Sequence, residues 1–304
     1  MGIRFYTEPE LEKPDLIASW PGIGNIGVIT VNTLRDQLKA DLLGEIEPWD
    51  FFYPKRVIIK SGVLQNLEFP GSRFYYKKTE NKDLLFFIGE EQPTDMGRMY
   101  AEGKKAYQMA NLVLDVAERF NCHRIYTSGA AVTLTHHALK PRVWAVTVNE
   151  ELIKEIRGYT NTMLMGEGEG IGELGNITGL NGLLLGLAKK RGFDAMCLMG
   201  EIPDYLSGVP FPYPKASKSI LEVLTSLLKV EIDYHTLDDM EVQINGIVAG
   251  IYEKLPPEVR DRIEQRESIV QSKPEAITEE DKKWIEDHID ELFKKGDEED
   301  GSPS

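Results

Sequence analysis

The sequence predicts an open α/β sheet covered by helices on both faces, and three observations carry that reading. Leu84-Leu85-Phe86-Phe87-Ile88 and the run over 193–199 are strongly apolar, as strands buried on both sides must be, whereas a strand with one wet face would alternate. The apolar Leu16-Ile17-Ala18 leads into Ser19-Trp20-Pro21-Gly22-Ile23-Gly24-Asn25-Ile26-Gly27. Beyond that turn Ile26, Thr30, Leu34 and Leu38 recur every four residues, so a strand enters a glycine turn and leaves as a helix.

The remaining elements follow in order. Residues 40–47, 57–60 and 62–65 read as strands, and 74–78 with 84–88 flank the polar Glu80-Asn81-Lys82-Asp83, a hairpin connection. A long helix is expected over 97–120, with Ala106, Met109, Ala110, Val113, Ala117 and Phe120 facing inward. A strand at 123–127 is expected to end in the small-residue turn Ser128-Gly129-Ala130-Ala131, followed by a strand at 143–148 and a short helix at 151–156. Seven glycines between 163 and 182 leave little to hold a fixed loop, so that segment reads as mobile or as wrapping a ligand or neighbour. It runs into the helical pattern of Leu183, Leu184, Leu185 and Leu187. After the strand at 193–199 come two helices, one from Lys215 and one carrying Leu237, Ile244, Val248 and Ile251 up to Pro256-Pro257, and then a charged helix at 258–267. The expected organisation is a core over 1–235, a helical extension over 236–268, a linker over 269–276, an amphipathic helix over 277–296 and a disordered acidic tail over 297–304.

Length and charge bound the function. A chain of 304 residues is long enough for one large domain with an appendage. Its net charge of −15 argues against a sequence-independent grip on nucleic acid or on an anionic membrane. From Gln271 on, five lysines stand against twelve acids, so close to half of that charge sits in the last ninth of the chain. No apolar run approaches the ~20 residues of a membrane helix, and the first residues have no secretory apolar core, so a cytoplasmic location is expected. Cys122 and Cys197, each beside a strand, read as buried core thiols.

Several motifs occur in a telling order: Pro21-Gly22-Ile23-Gly24-Asn25-Ile26-Gly27, a strand ending Gly89-Glu90-Glu91-Gln92-Pro93, the Gly129 segment, and Gly170-Ile171-Gly172 leading to Gly200-Glu201-Ile202-Pro203. In this order the chain resembles the proteasome assembly chaperone family, in particular its archaeal and bacterial homo-oligomeric branch, over about residues 15–233. The resemblance implies a three-layer α/β/α sandwich with a mixed, mostly parallel sheet, similar to nucleoside phosphorylases. It also implies assembly into homo-oligomers and a non-catalytic role as a scaffold for other proteins, proteasome subunits or another client. Some archaeal relatives dock on the proteasome through a C-terminal hydrophobic-Tyr-x tripeptide, and the ending Ser302-Pro303-Ser304 departs from it.

The rival reading is a small-molecule enzyme or nucleoside- or nucleotide-binding protein. Its cleft would lie at the carboxyl edge of the sheet, at Gly22, Gly24, Asn25, Gly27, Glu90, Glu91, Gly129 and Glu201. Gly22-x-Gly24-x-x-Gly27 formally fits the dinucleotide fingerprint, with Glu47 near the place of the ribose-binding acid. Glu90, Glu91 and Glu201 would form an acid/base group if a cleft brought them together; the preferred reading is that each caps a helix or pairs with an arginine. His136-His137 cannot both face one metal from a regular element, and no metal or cofactor is expected. Tyr205, Phe211 and Tyr213 lie among prolines, a stiff aromatic loop suited to an interface. Behind Thr278-Glu279-Glu280-Asp281, the stripe of Trp284, Ile285, Ile289, Leu292 and Phe293 reads as a docking surface.

Overall fold

A computed structural model describes residues 2–93, 103–167, 176–268, 283–284 and 287–288. The elements are β1 (Ile3–Phe5), β2 (Asp15–Ser19), α1 (Ile26–Gln37), β3 (Asp41–Ile46), β4 (Arg56–Lys60), β5 (Val63–Glu68), β6 (Ser72–Lys77) and β7 (Leu84–Gly89). They continue with α2 (Gly103–Arg119), β8 (Arg124–Thr133), β9 (Val143–Thr147), α3 (Glu150–Ile156), β10 (Thr162–Leu164), α4 (Gly179–Lys190) and β11 (Asp194–Pro203). Three helices close the series: α5 (Pro214–Leu228), α6 (His235–Lys254) and α7 (Pro257–Ser268).

Nine strands form one sheet in the order β1-β3-β6-β7-β2-β8-β11-β9-β10, while β4 and β5 pair only with each other. β7, β2, β8 and β11 are mutually parallel; pairings are antiparallel from β7 out to β1, while on the other side β9 runs antiparallel to β11 and β10 runs parallel to β9. Strand alternation builds two cores. Ile17, Phe86, Met196 and Leu198 face one way, with Ile26 and Leu34 of α1 and Ile220 and Leu224 of α5. Leu16, Ala18, Phe87 and Cys197 face the other, with Met109 and Val113 of α2 and Leu184 of α4. Each Leu, Ile, Val, Phe or Met among them contributes roughly 1.5–3 kcal/mol by leaving water. The result is the three-layer α/β/α sandwich.

Three boundaries differ from expectation for identifiable reasons. The Ser128-Gly129-Ala130-Ala131 segment is not a turn: β8 runs through it to Thr133 because β11 pairs with it continuously, Gly129 opposite Met199 and Thr133 opposite Pro203. Small residues here leave room above the sheet and do not bend it. β11 likewise extends past Met199, so Gly200 and Glu201 lie inside a strand. Finally, α6 and α7 join the first core through Leu237, Ile244, Val248, Ile251, Val259 and Ile263. The linker, the greater part of the 277–296 helix and the tail fall outside the described residues, as do 94–102 and 168–175.

Candidate functional site

β2 delivers the chain to its turn at the carboxyl edge of the parallel strands. Gly24 and Asn25 are both left-handed, at φ 58° and 48°, which reverses the chain so that α1 lies back on the sheet. A Cβ on Gly24 would stand 3.0 Å from that of Tyr213, whose N–H donates to the Gly24 carbonyl at 2.8 Å. A Cβ on Gly27 would come within 2.3 Å of the Ser128 carbonyl oxygen. These glycines therefore seat backbone on backbone. Gly22 alone of the three faces open space.

The dinucleotide reading fails on topology. Its acid must sit at the end of the strand beside the glycine strand, but β3 is separated from β2 by β6 and β7, roughly 14 Å at the usual strand spacing. Glu47 instead pairs with Arg4 at 3.3 Å.

The three carboxylates do not converge. Glu90 accepts from the Gly71 N–H at 2.9 Å and from Arg73 Nη1 at 3.1 Å, and Glu91 meets Lys55 at 2.9 Å. Glu201, only 1% exposed, lies on β11, with β2 and β8 between it and β7. It accepts from Thr133 Oγ1 at 2.8 Å and from the Arg142 backbone N–H, Nε and Nη2 at 3.0, 3.1 and 2.8 Å. This clamp ties the β8–β11 pair to the segment that enters β9.

Two cavities share the edge. One, about 650 Å³, is lined by Asn25, Arg35, Lys55, Arg73, Gly89 and Glu90, among others. The other, about 570 Å³, lies where β2 stops and its neighbour β8 continues; Gly22, Gln92, Ala130, Val132 and Asn181 line it with Met199. Gly129 is on its floor. Gln92 stitches its rim, donating to the Pro21 carbonyl at 2.7 Å and accepting from the Leu180 N–H at the start of α4 at 3.1 Å. Cys197 also lines it, and burial pushes its thiol up to about 11, so the sulfur stays neutral. No charged side chain is among the described lining residues.

The aromatic loop is corrected: Tyr205, Phe211 and Tyr213 are buried and fill the first core, so their rings are not presented outward. Tyr205 is tied to the histidine pair, accepting from the His137 N–H at 3.0 Å, with its hydroxyl 2.8 Å from His137 Nδ1. Burial, aided by His136 and Lys215, lowers the His137 pKa to about 4. His136 is buried beside it, its Nδ1 accepting from the Ala138 N–H at 3.2 Å. Trp284 packs partly buried on the first core and stacks on His288, while Ile285, Ile289, Leu292 and Phe293 lie outside the described residues. Among the described residues no group of three or more His, Cys, Asp or Glu is placed to hold a metal, and no helix is long and apolar enough to cross a membrane.

Sequence reasoning missed Arg142 and Asn181, and took Gln92 only as part of a motif, because their contacts lie with segments distant in sequence. It also missed the β4–β5 arm as a surface, although the aliphatic residues on both sides of Ser61-Gly62 were a visible signal.

Comparison with known proteins supplies the lineage. The chain is 26% identical over 276 residues to an uncharacterised protein of Methanocaldococcus jannaschii, covering 90% of this chain and 93% of that one. Among solved structures, Pyrococcus furiosus PbaB, described as an archaeal proteasome activator, superposes with a TM-score of 0.68 at 28% identity, over 82% of this chain and 98% of that one. Pyrococcus furiosus PbaA, described as an archaeal homologue of proteasome-assembly chaperone, gives 0.59 at 22% identity over 88% and 99%, a likeness of fold. The PAC2 family model matches residues 16–251, from β2 into the last turns of α6, and the chain belongs to the PAC2 family.

Proposed function

We propose that this protein is a cytoplasmic, homo-oligomeric, non-catalytic scaffold that binds other proteins, proteasome subunits among them, and that its copies meet through the β4–β5 hairpin. The hairpin carries the reading. Val57, Ile58, Ile59, Val63 and Leu64 are 40–65% exposed, with Trp49 and Tyr53 bare near its root. A two-stranded hairpin is marginal alone in water, and a contiguous exposed apolar patch marks a contact surface. Its occupant is a second copy. Residues 54–70 hold Lys55, Arg56 and Lys60 against the single acid Glu68, in a chain of net charge −15. Arg56 is matched within the arm by Glu68 and Lys55 by Glu91, which leaves Lys60 at the exposed tip beside the aliphatic residues to meet the acidic surface of a neighbour. The proteasome as client is supported by the description of PbaB as a proteasome activator.

Native mass spectrometry tests the reading. The wild type is expected at a multiple of 34.4 kDa, and Ile59→Lys with Leu64→Lys is expected to give a smaller particle with an unchanged far-ultraviolet circular dichroism spectrum. A monomeric wild type at tens of micromolar removes the self-contact. Failure of purified proteasome core particles to bind the full chain removes that client.

A further inference from the structure

We infer that the 570 Å³ cavity is a peptide-binding slot, in which an uncharged extended segment of a partner protein adds to the free edge of β8. This rests on the protein-binding reading above and names the place and the chemistry of the bound segment.

The slot is made by unequal strand lengths. β2 pairs with β8 only as far as Ala18 opposite Thr127 and ends at Ser19, while β8 and β11 continue together to Thr133 and Pro203. From Gly129 on, the β2 side of β8 has no ladder partner among the described residues, although β8 is a central strand. Ser128 turns its carbonyl to that side, where Ser19 Oγ donates at 3.4 Å. Backbone groups alternate with a period of two, so the N–H and C=O of Ala130 and Val132 face the same open side. Val132 is 41% exposed, unusual for the middle of a nine-stranded sheet.

A second observation is independent of the backbone. Asn181, in the first turn of α4, is nine-tenths buried and lines the cavity. Its Oδ1, closed off from solvent behind the wall, has no hydrogen-bond partner among the described residues, so a side-chain rotation would turn it to a donor seated in the slot. An orphaned buried acceptor asks for a donor, and a peptide N–H supplies one. The described lining holds no charged side chain and is largely Gly, Ala, Val, Ile and Met, a surface suited to uncharged groups. An open row of alternating donors and acceptors, an acceptor on the facing wall and an uncharged floor suit peptide backbone bearing small apolar side chains. The free length from Gly129 to Thr133 spans about 16 Å at the usual rise, room for about five residues.

The test uses the full chain, immobilised, and a randomised library of N-acetylated, C-amidated heptapeptides lacking Asp, Glu, Lys, Arg and His. Selection is expected to enrich specific peptides. N-methylating the best one on alternate amides should weaken binding at least tenfold in one register and little in the other, since only one edge faces β8. Val132→Pro, which removes a free N–H, and Asn181→Leu are each expected to weaken binding tenfold or more. The hairpin variant should bind as the wild type does. The N-methyl series requires no variant to fold. Lack of enrichment over bare matrix, equal tolerance of both N-methyl registers, or undiminished binding by a folded Val132→Pro overturns the slot. So does a nucleoside that raises Tm and displaces the peptide. If peptide binding fails while particle mass and proteasome capture persist, the slot alone falls and the scaffold reading stands.

Discussion

At the scale of single residues, Glu201 shows how a lone acid beside a glycine reads as chemistry and works as a clamp. Every group that meets its carboxylate within 3.1 Å is a donor, from Thr133 or Arg142. Glu201→Gln would turn an amide N–H₂ against one of them while removing the charge. It is expected to lower unfolding free energy by about 2–3 kcal/mol in urea titration, short of the full loss for a wholly buried pair because Arg142 is half-exposed. A loss below about 0.5 kcal/mol would show that Arg142 satisfies itself in water. His137 yields a pH prediction. Its pKa is lowered from 6.5 to about 4, chiefly by burial, so the unfolded chain takes up a proton that the folded ring refuses. Its contribution is intact above pH about 6.5 and is lost as the pH falls toward about 4. His137→Asn should therefore flatten the fall in Tm between pH 7 and pH 4.5, and an identical pH profile would place the acid sensitivity elsewhere. Glu201 was legible as an acid at the carboxyl edge of a buried strand that caps a helix or pairs with an arginine; which arginine was not, because nothing local links Arg142 to a strand 59 positions away.

At the scale of elements, local pattern and tertiary pairing divide the result. The strand-turn-helix at 15–37, the β6–β7 hairpin and the inner face of α2 were legible, because side-chain periodicity reports burial directly. The end of β8 was misread. Ser128, Gly129, Ala130 and Ala131 carry turn-like composition, yet strand pairing with β11 overrides it, since ten consecutive residue pairs outweigh the weak preference of four small residues. The unequal ends of β2 and β8 have a measurable consequence in the free protein. The amides of Ala130 and Val132 should exchange with deuterium far faster than those of Ile125 and Tyr126, which lie where β8 is paired on both sides. Equal protection along the whole strand would mean that another segment already fills the edge.

At the scale of the whole molecule, α6 and α7, expected as an extension beyond residue 235, pack on the core of the sheet. Ile244, Val248, Ile251, Val259 and Ile263 belong to the same cluster as Ile17 and Leu198 in the sheet. Truncation after residue 233 would expose α5 as well as delete α6 and α7. It should lower the urea midpoint sharply or leave an insoluble chain, with Trp fluorescence and far-ultraviolet circular dichroism changing together. A truncated chain with wild-type stability would show that α6 and α7 form a separable extension.

What the sequence determined by itself was the architecture: apolar runs too long to alternate demand cover on both faces, and glycine turns before helical repeats set the α/β order. The motif order pointed to the family. Only the tertiary structure decided which acids meet which cations, that the proline-rich aromatics turn inward and that β8 outruns β2. The physical reason is range. Periodicity and turn chemistry act over a few residues and are written in the chain, whereas ion pairs, cavities and free strand edges arise between segments tens to hundreds of positions apart, where only packing sets the distance.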